Sequence, residues 1–183
     1  MNKILYYLIK FYQKYIFTKV EKIKSDLIID SVKNKGQNCH IKMNSKIYYR
    51  DRLVLGDYVN IGENAHLFCM GGLKIGTNTQ ISRNVVIYTA NHNIESNCIP
   101  YDKSYIKKTV VIGKSVWIGM NVMITPGVNI GDGAVIGMGT VVSKDVPAGA
   151  IVVGSQQRII NYRKMDEFKQ KEQKKYFYGL KYE

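Results

Sequence analysis

Three histidines, His40, His66 and His92, are the residues of this chain best suited to proton transfer, because an imidazole titrates near neutral pH. Three imidazoles also suggest zinc, which needs them to converge on one ion. Gaps of 26 and 26 residues do not by themselves bring the rings together. His92 stands apart by its address. It lies in Thr89-Ala90-Asn91-His92-Asn93, at the start of an insertion spanning 88–105. An exposed loop on a rigid scaffold is where function concentrates. The chemistry implied is general base catalysis. Cys98 lies in the same insertion but has no acid–base partner fixed beside it, so it is a weaker candidate nucleophile.

The scaffold that must position this loop is written in a period of six. Ile106, Ile112, Ile118, Ile124, Ile130, Ile136 and Val142 recur without a slip. A helix would repeat every ~3.6 residues and a half-buried strand every 2. A strict hexad predicts a β-solenoid of short parallel strands wound round a packed axis. Ile118 then points inward, and Val116, two residues earlier, lies on the same side. Corners need residues that tolerate φ > 0 or close backbone approach. The chain offers Gly113, Gly119, Asn121, Gly127, Asn129, Gly131, Gly133, Gly137 and Gly139. An earlier tract, Leu55, Ile61 and Leu67, keeps the period, slips by two, and resumes at Ile75, Ile81 and Ile87. The 88–105 segment carries no hexad and should loop out of the coil. An antiparallel sandwich is the competing architecture, but its turns would not be evenly spaced.

The chain has 183 residues and a net charge of +13. No apolar stretch reaches the ~18 residues of a membrane span, and no small-residue cleavage site marks a secretory signal. Three widely spaced cysteines, Cys39, Cys69 and Cys98, fit reduced thiols in a cytoplasm. The positive charge gathers at the ends: six lysines against Glu21 in residues 1–24, and seven basic against three acidic residues in 158–175. No nucleic-acid-binding module accompanies it, so phosphorylated ligands or an anionic membrane surface account for it better.

Residues 1–30 are expected to form a basic amphipathic helix, with Leu5, Leu8, Ile9, Tyr12, Tyr15, Ile16 and Val20 at helical spacing. Such a helix could cap the first coil. Residues 1–24 could also lie on the inner face of a membrane. The solenoid should span 31–160, and 161–183 should form a basic tail with a short helix.

Within residues 91–160 the motifs NHN and VVIGKSVWIGMNVMITPGVNIGDGAVIGMGTVVSKDVPAGAIVVGSQQRII closely resemble the hexapeptide-repeat acetyltransferases of the galactoside, maltose and nodulation-factor type. That family also includes xenobiotic and polysaccharide O-acetyltransferases. The resemblance covers about residues 50–160. It implies an all-β fold, a left-handed parallel β-helix with short terminal helices and one extended loop, assembled as a homotrimer with active sites between subunits. It implies acetyl-CoA as co-substrate and no metal. It makes His92 the general base and the Met120 backbone N–H the oxyanion donor. Trp117, Gly119, Met138, Ser143, Lys144 and Arg158 match positions along the cofactor. His66, Tyr88 and Asn91 are the candidate acceptor contacts.

The match is not uniform. Family members often carry small residues where Met120 and Met138 stand, and an arginine at Asn161, for which Arg163 could substitute. The aromatic N-terminal segment resembles that of enzymes modifying capsule, lipopolysaccharide or exopolysaccharide. The reading that follows is a cytoplasmic O-acetyltransferase acting on a sugar hydroxyl of a surface-polysaccharide precursor. Alternatives are an N-acetyltransferase on a nucleotide-linked amino sugar, an antibiotic acetyltransferase and a non-catalytic trimeric scaffold.

Overall fold

The computed structural model describes residues 3–94, 101–154, 158–162 and 164–175. Glu95, Cys98, Arg163 and the end of the tail lie outside these residues. The chain winds into a three-faced prism of short parallel strands. The first face carries Leu53–Leu55, Leu73–Ile75, Val110–Ile112 and Asn129–Ile130. The second carries His40–Ile41, Asn60–Ile61, Gln80–Ile81, Trp117–Ile118, Val135–Ile136 and Ala150–Val153. The third carries Lys46–Tyr48, His66–Phe68, Val86–Tyr88, Met123–Ile124 and Val141–Val142.

The hexad aliphatics form vertical stacks inside this prism. Ile41, Ile61, Ile81, Ile118, Ile136 and Val152 are aligned register by register on the second face, and none is more than 4% exposed. Each such side chain contributes about 1.5–3 kcal/mol by leaving water. Val116 is buried beside Ile118, as alternation requires. Asn64, Asn84 and Asn121 turn one set of corners at φ near 55–58°. Their side-chain amides hydrogen-bond from coil to coil at 3.2 and 3.1 Å.

Two sequence expectations need correction. Ile106 is not a core residue. It is 45% exposed and pairs with Asn91 in an antiparallel hairpin of Ala90–His92 and Tyr105–Lys107. Its place in the six-residue series is a coincidence of counting, because the chain re-enters the prism only at Val110–Ile112. Asn129 is not a corner residue either, but begins the strand Asn129–Ile130.

All departures from the six-residue step before the last coil occur at one edge of the prism, between the third and first faces. The first coil inserts a 3₁₀ turn at Arg50–Arg52. The second inserts a turn closed by Gly72 N–H donating to Cys69 O at 2.9 Å. The third inserts the hairpin that bears His92. The slip of two in the sequence is therefore the signature of a widened corner.

Residues 3–30 are helical throughout, with α segments Lys3–Phe11 and Thr18–Asp30 flanking a π segment, Tyr12–Phe17. Among the described residues, nothing before Ile29 is buried. Ile28, Ile29 and Val32 pack on the core and close the first coil, while residues 3–20 are exposed. A continuous α-helix would turn Lys19 and Lys22 well away from Lys3. The extra residue of the π turn rotates them back by about 100°, beside Lys3, Lys10 and Lys14. At the other end, Arg158–Tyr162 pairs antiparallel with Ala150–Val153, and a helix follows at Met165–Gln173.

Candidate active site

The hairpin holds His92 half-buried, directly across from Tyr105. Its ring stacks on Tyr101 at 3.8 Å, tilted by 15°, and lies 4.5 Å from Tyr105. Nδ1 is buried and has no hydrogen-bond partner among the described residues. Among the described residues, ring contacts and not a carboxylate orient the imidazole. Asp102, one of two acids on the insertion, is engaged elsewhere. It accepts from Ser104 N–H at 2.8 Å and from Ser104 Oγ at 2.5 Å. Those bonds hold its carboxyl below the usual range, and the nearby His92 adds a small electrostatic part. Asn91 is exposed on the opposite side of the strand.

His66 and Tyr88 are brought together on the third face. Tyr88 Oη lies 3.3 Å from His66 Nε2, and the rings are 5.6 Å apart and almost parallel. Tyr105 joins this pair to His92, since it lies 6.4 Å from Phe68, which stacks on Tyr88 at 5.1 Å. His40 is on the second face, so the three histidines do not share a site. Among the described residues no group of three metal-ligating side chains is assembled.

The second set of residues lies at the edge between the second and third faces. Trp117 is 54% exposed, in register between Gln80 and Val135. Gly119 is needed at the corner because an added Cβ would sit 2.6 Å from Met138 N in the next coil. Met120 O accepts from Gly139 N–H at 2.9 Å, which fixes the peptide. The same bond recurs where Lys114 O accepts from Gly133 N–H and Gln37 O from Tyr58 N–H, both at 2.8 Å.

Those two related corners carry one more feature. Lys114 N–H donates to Asp132 Oδ1, and Gln37 N–H to Asp57 Oδ1, each at 2.8 Å. Each aspartate stands in the next coil, directly over the amide. Over Met120 the stacked residue is Met138, which has no oxygen to offer. Among the described residues neither the Met120 nor the Met138 amide has an acceptor. Two stacked N–H groups are left open beside the exposed tryptophan, and an unpaired donor at a partly covered position is suited to a ligand oxygen.

Arg158 is exposed on the strand next to Val153. Ser143 and Lys144 are exposed after Val141–Val142, at the edge from which the His92 hairpin also leaves. In a single chain, then, the structure does not bring His92 to the Met120 corner. The two lie at opposite edges of the third face, with a strand's length between them.

Sequence reasoning missed Tyr101 and Tyr105 as supports of His92. It also missed the wall of rings beneath them, although Tyr48, Phe68 and Tyr88 recur at twenty-residue spacing. The open amides had a signal too, an aspartate at 57 and 132 but a methionine at 138.

Comparison with known proteins agrees with this fold. Residues 109–144 match the family described as bacterial transferase hexapeptide (six repeats). WcaF of Escherichia coli K12, named for acetyl transfer in colanic acid biosynthesis, is 34% identical over 58 residues. That stretch is 32% of this chain and 32% of WcaF, so the alignment spans about a third of the curated relative. A hexapeptide-repeat acetyltransferase of Vibrio cholerae, solved with acetyl coenzyme A, is 27% identical over 72% of each chain, with a TM-score of 0.67. A maltose O-acetyltransferase of Clostridium difficile 630 is 31% identical, with a TM-score of 0.63, over 75% of this chain and 73% of that one. A likeness of that extent, carried by a left-handed coil of stacked hexads, means that this chain belongs to the hexapeptide-repeat acetyltransferases.

Proposed function

We propose that this chain moves an acetyl group from acetyl-CoA to a sugar hydroxyl in the cytoplasm, during assembly of a cell-surface polysaccharide. The observation that carries the reading is the pair of stacked open amides at Met120 and Met138 next to the exposed Trp117, where the corners at Gln37 and Lys114 are closed by aspartate. The pantetheine arm of CoA has amide oxygens that suit the Met138 N–H. The thioester oxygen suits the Met120 N–H. Trp117 flanks the arm, while Ser143, Lys144 and Arg158 suit its phosphate end.

In this reading His92 Nε2 takes the proton of the acceptor hydroxyl as that oxygen attacks the thioester carbon. Negative charge passes to the carbonyl oxygen and is held by the Met120 N–H. The carbon–sulfur bond breaks, and the CoA thiolate leaves and takes up a proton. A preformed donor of this kind contributes about 2.7–4 kcal/mol. His92 and Met120 stand at opposite edges of one face, which supports a ring of copies in which the hairpin of one subunit reaches the open corner of the next. The resemblance to the trimeric hexapeptide-repeat acetyltransferases makes that ring a homotrimer.

The N-terminal helix supports a location at the inner face of the membrane. Its apolar residues are exposed, Leu5 by 51%, Leu8 by 60% and Tyr12 by 53%, and five lysines gather on the other side. That division suits the surface of an anionic bilayer. No described helix is long and apolar enough to cross a membrane.

The test is the His92→Ala protein, supplied with acetyl-CoA and a panel of sugar hydroxyl and amine acceptors. It should bind CoA normally and lose transfer by about 10²–10⁴-fold. Turnover near that of the parent removes His92 as the base. Preference for amines over hydroxyls moves the reading to N-acetylation, and failure of the parent to bind acetyl-CoA leaves only a scaffold.

A further inference from the structure

Below the catalytic hairpin lies a surface that acetyl transfer alone does not require. Tyr48, Phe68 and Tyr88 occupy the same outward position in three successive coils. The first two rings are 6.0 Å apart and the next two 5.1 Å. Tyr49 meets Phe68 edge-on at 5.4 Å, and His66 fills the space between Tyr48 and Tyr88, at 5.3 and 5.6 Å. With coils spaced about 4.8 Å, the wall extends roughly 10 Å along the prism. It is continuous with the base, because Tyr105 touches both Phe68 and His92.

These rings are not spare core. Tyr48 is 45% exposed, Tyr49 42% and Tyr88 38%. A prism of this kind is stable with polar residues on its outer faces, and other outward positions of the same coils carry them, for instance Lys74 and Gln80. Exposed aromatic area of this extent marks an interaction surface. Tyrosine offers a flat apolar face and a polar tip at little entropic cost. That combination matches a pyranose, which has a C–H face and a rim of hydroxyls. It matches a twofold contact with a second copy of this chain less well, since Lys46 and Arg50 flank the wall and would face their own kind.

We infer that Tyr48, Tyr49 and Phe68 bind the sugar residues of an acceptor beyond the one that is acetylated, so that the preferred acceptor is an oligosaccharide rather than a single sugar. A chain lying on the wall would present one ring at Tyr88 and His66, next to His92, while its further residues stack toward the first coil. The inference rests on the reading of sugar O-acetylation, but binding along the wall can be measured without turnover.

The experiment has two arms. Saturation-transfer NMR with maltohexaose, with hexagalacturonate and with glucose reports direct contact. Transfer kinetics on the same three probes report use as acceptor. With the parent protein, at least one hexamer should show contact along several residues and a KM at least tenfold below that of glucose. In Tyr48→Ala/Tyr49→Ala the hexamer-to-glucose KM ratio should collapse toward one, with acetyl-CoA binding by calorimetry reporting an intact fold. Contact by neither hexamer overturns the inference, as does a KM ratio unchanged by the double substitution. Loss of the trimer in sedimentation of that variant would make the wall a subunit interface and overturn it as well. Hexamer contact without transfer to any probe would leave the wall as a glycan site and refute the acetylation reading instead.

Discussion

Met138→Asp should switch the enzyme off without unfolding it. The structure already contains the effect twice. At Lys114 and at Gln37 an aspartate in the next coil takes the corner amide at 2.8 Å. Residue 138 stands over Met120 in the same relation, with the same carbonyl bond, Met120 O to Gly139 N–H, beneath it. A carboxylate there should reach the Met120 N–H at about 2.8 Å, an ordinary charge-assisted distance. The donor would then be occupied when the thioester oxygen needs it. Loss of one such donor lowers kcat by about 10²–10³, and a negative charge beside a developing oxyanion lowers it further. Stability should move little. Position 138 is 72% exposed, so solvent screening keeps the new bond below about 1 kcal/mol. The assay is CoA thiol release with acetyl-CoA and the best sugar acceptor, alongside thermal unfolding. Met138→Leu, which adds no oxygen, is the comparison and should stay within a few-fold of the parent. Equal kcat in Met138→Asp and Met138→Leu would refute the assignment of the Met120 amide.

Two further outcomes follow from the ends and the core. Leu8→Glu together with Tyr12→Glu should abolish flotation with vesicles containing anionic phosphatidylserine while leaving thiol release with a soluble sugar intact; flotation equal to that of the parent removes the membrane role. Cys69 is buried, and burial pushes its thiol up from 9.0 to about 12. The raised value means that the folded protein keeps a proton that the unfolded chain loses. This stabilisation is complete below about pH 9 and fades between pH 9 and 12, by up to about 1.4 kcal/mol per pH unit. Denaturant titrations of parent and Cys69→Ala across that window should therefore converge as pH rises, and parallel curves would contradict the burial argument.

The prism was legible because a six-residue period has one structural solution, and Ile112 to Val142 obey it without interruption. Ile106 was misread because a count of six cannot distinguish a strand of the coil from a hairpin strand that enters in phase. The His92 loop was legible as an interruption of the series. What holds His92 was not, since Tyr101 and Tyr105 act through ring contacts across a hairpin whose register no short-range signal encodes. The open amides depend on residues eighteen apart. Their meaning appears only when coils are stacked and Asp132 and Met138 are seen to be equivalent. The N-terminal helix was visible from its spacing, but packing decided which part closes the coil, and that part is Ile28, Ile29 and Val32.

The most direct measurement is complementation within a mixed ring. His92→Ala subunits retain an open Met120 corner, and Met138→Asp subunits retain the base. Refolded together in equal amounts, they should recover activity that neither has alone, at about a quarter of the sites in a randomly mixed ring. Mixed trimers, verified by mass, that remain as inactive as their parents would contradict a site made from His92 of one copy and the Met120 amide of its neighbour.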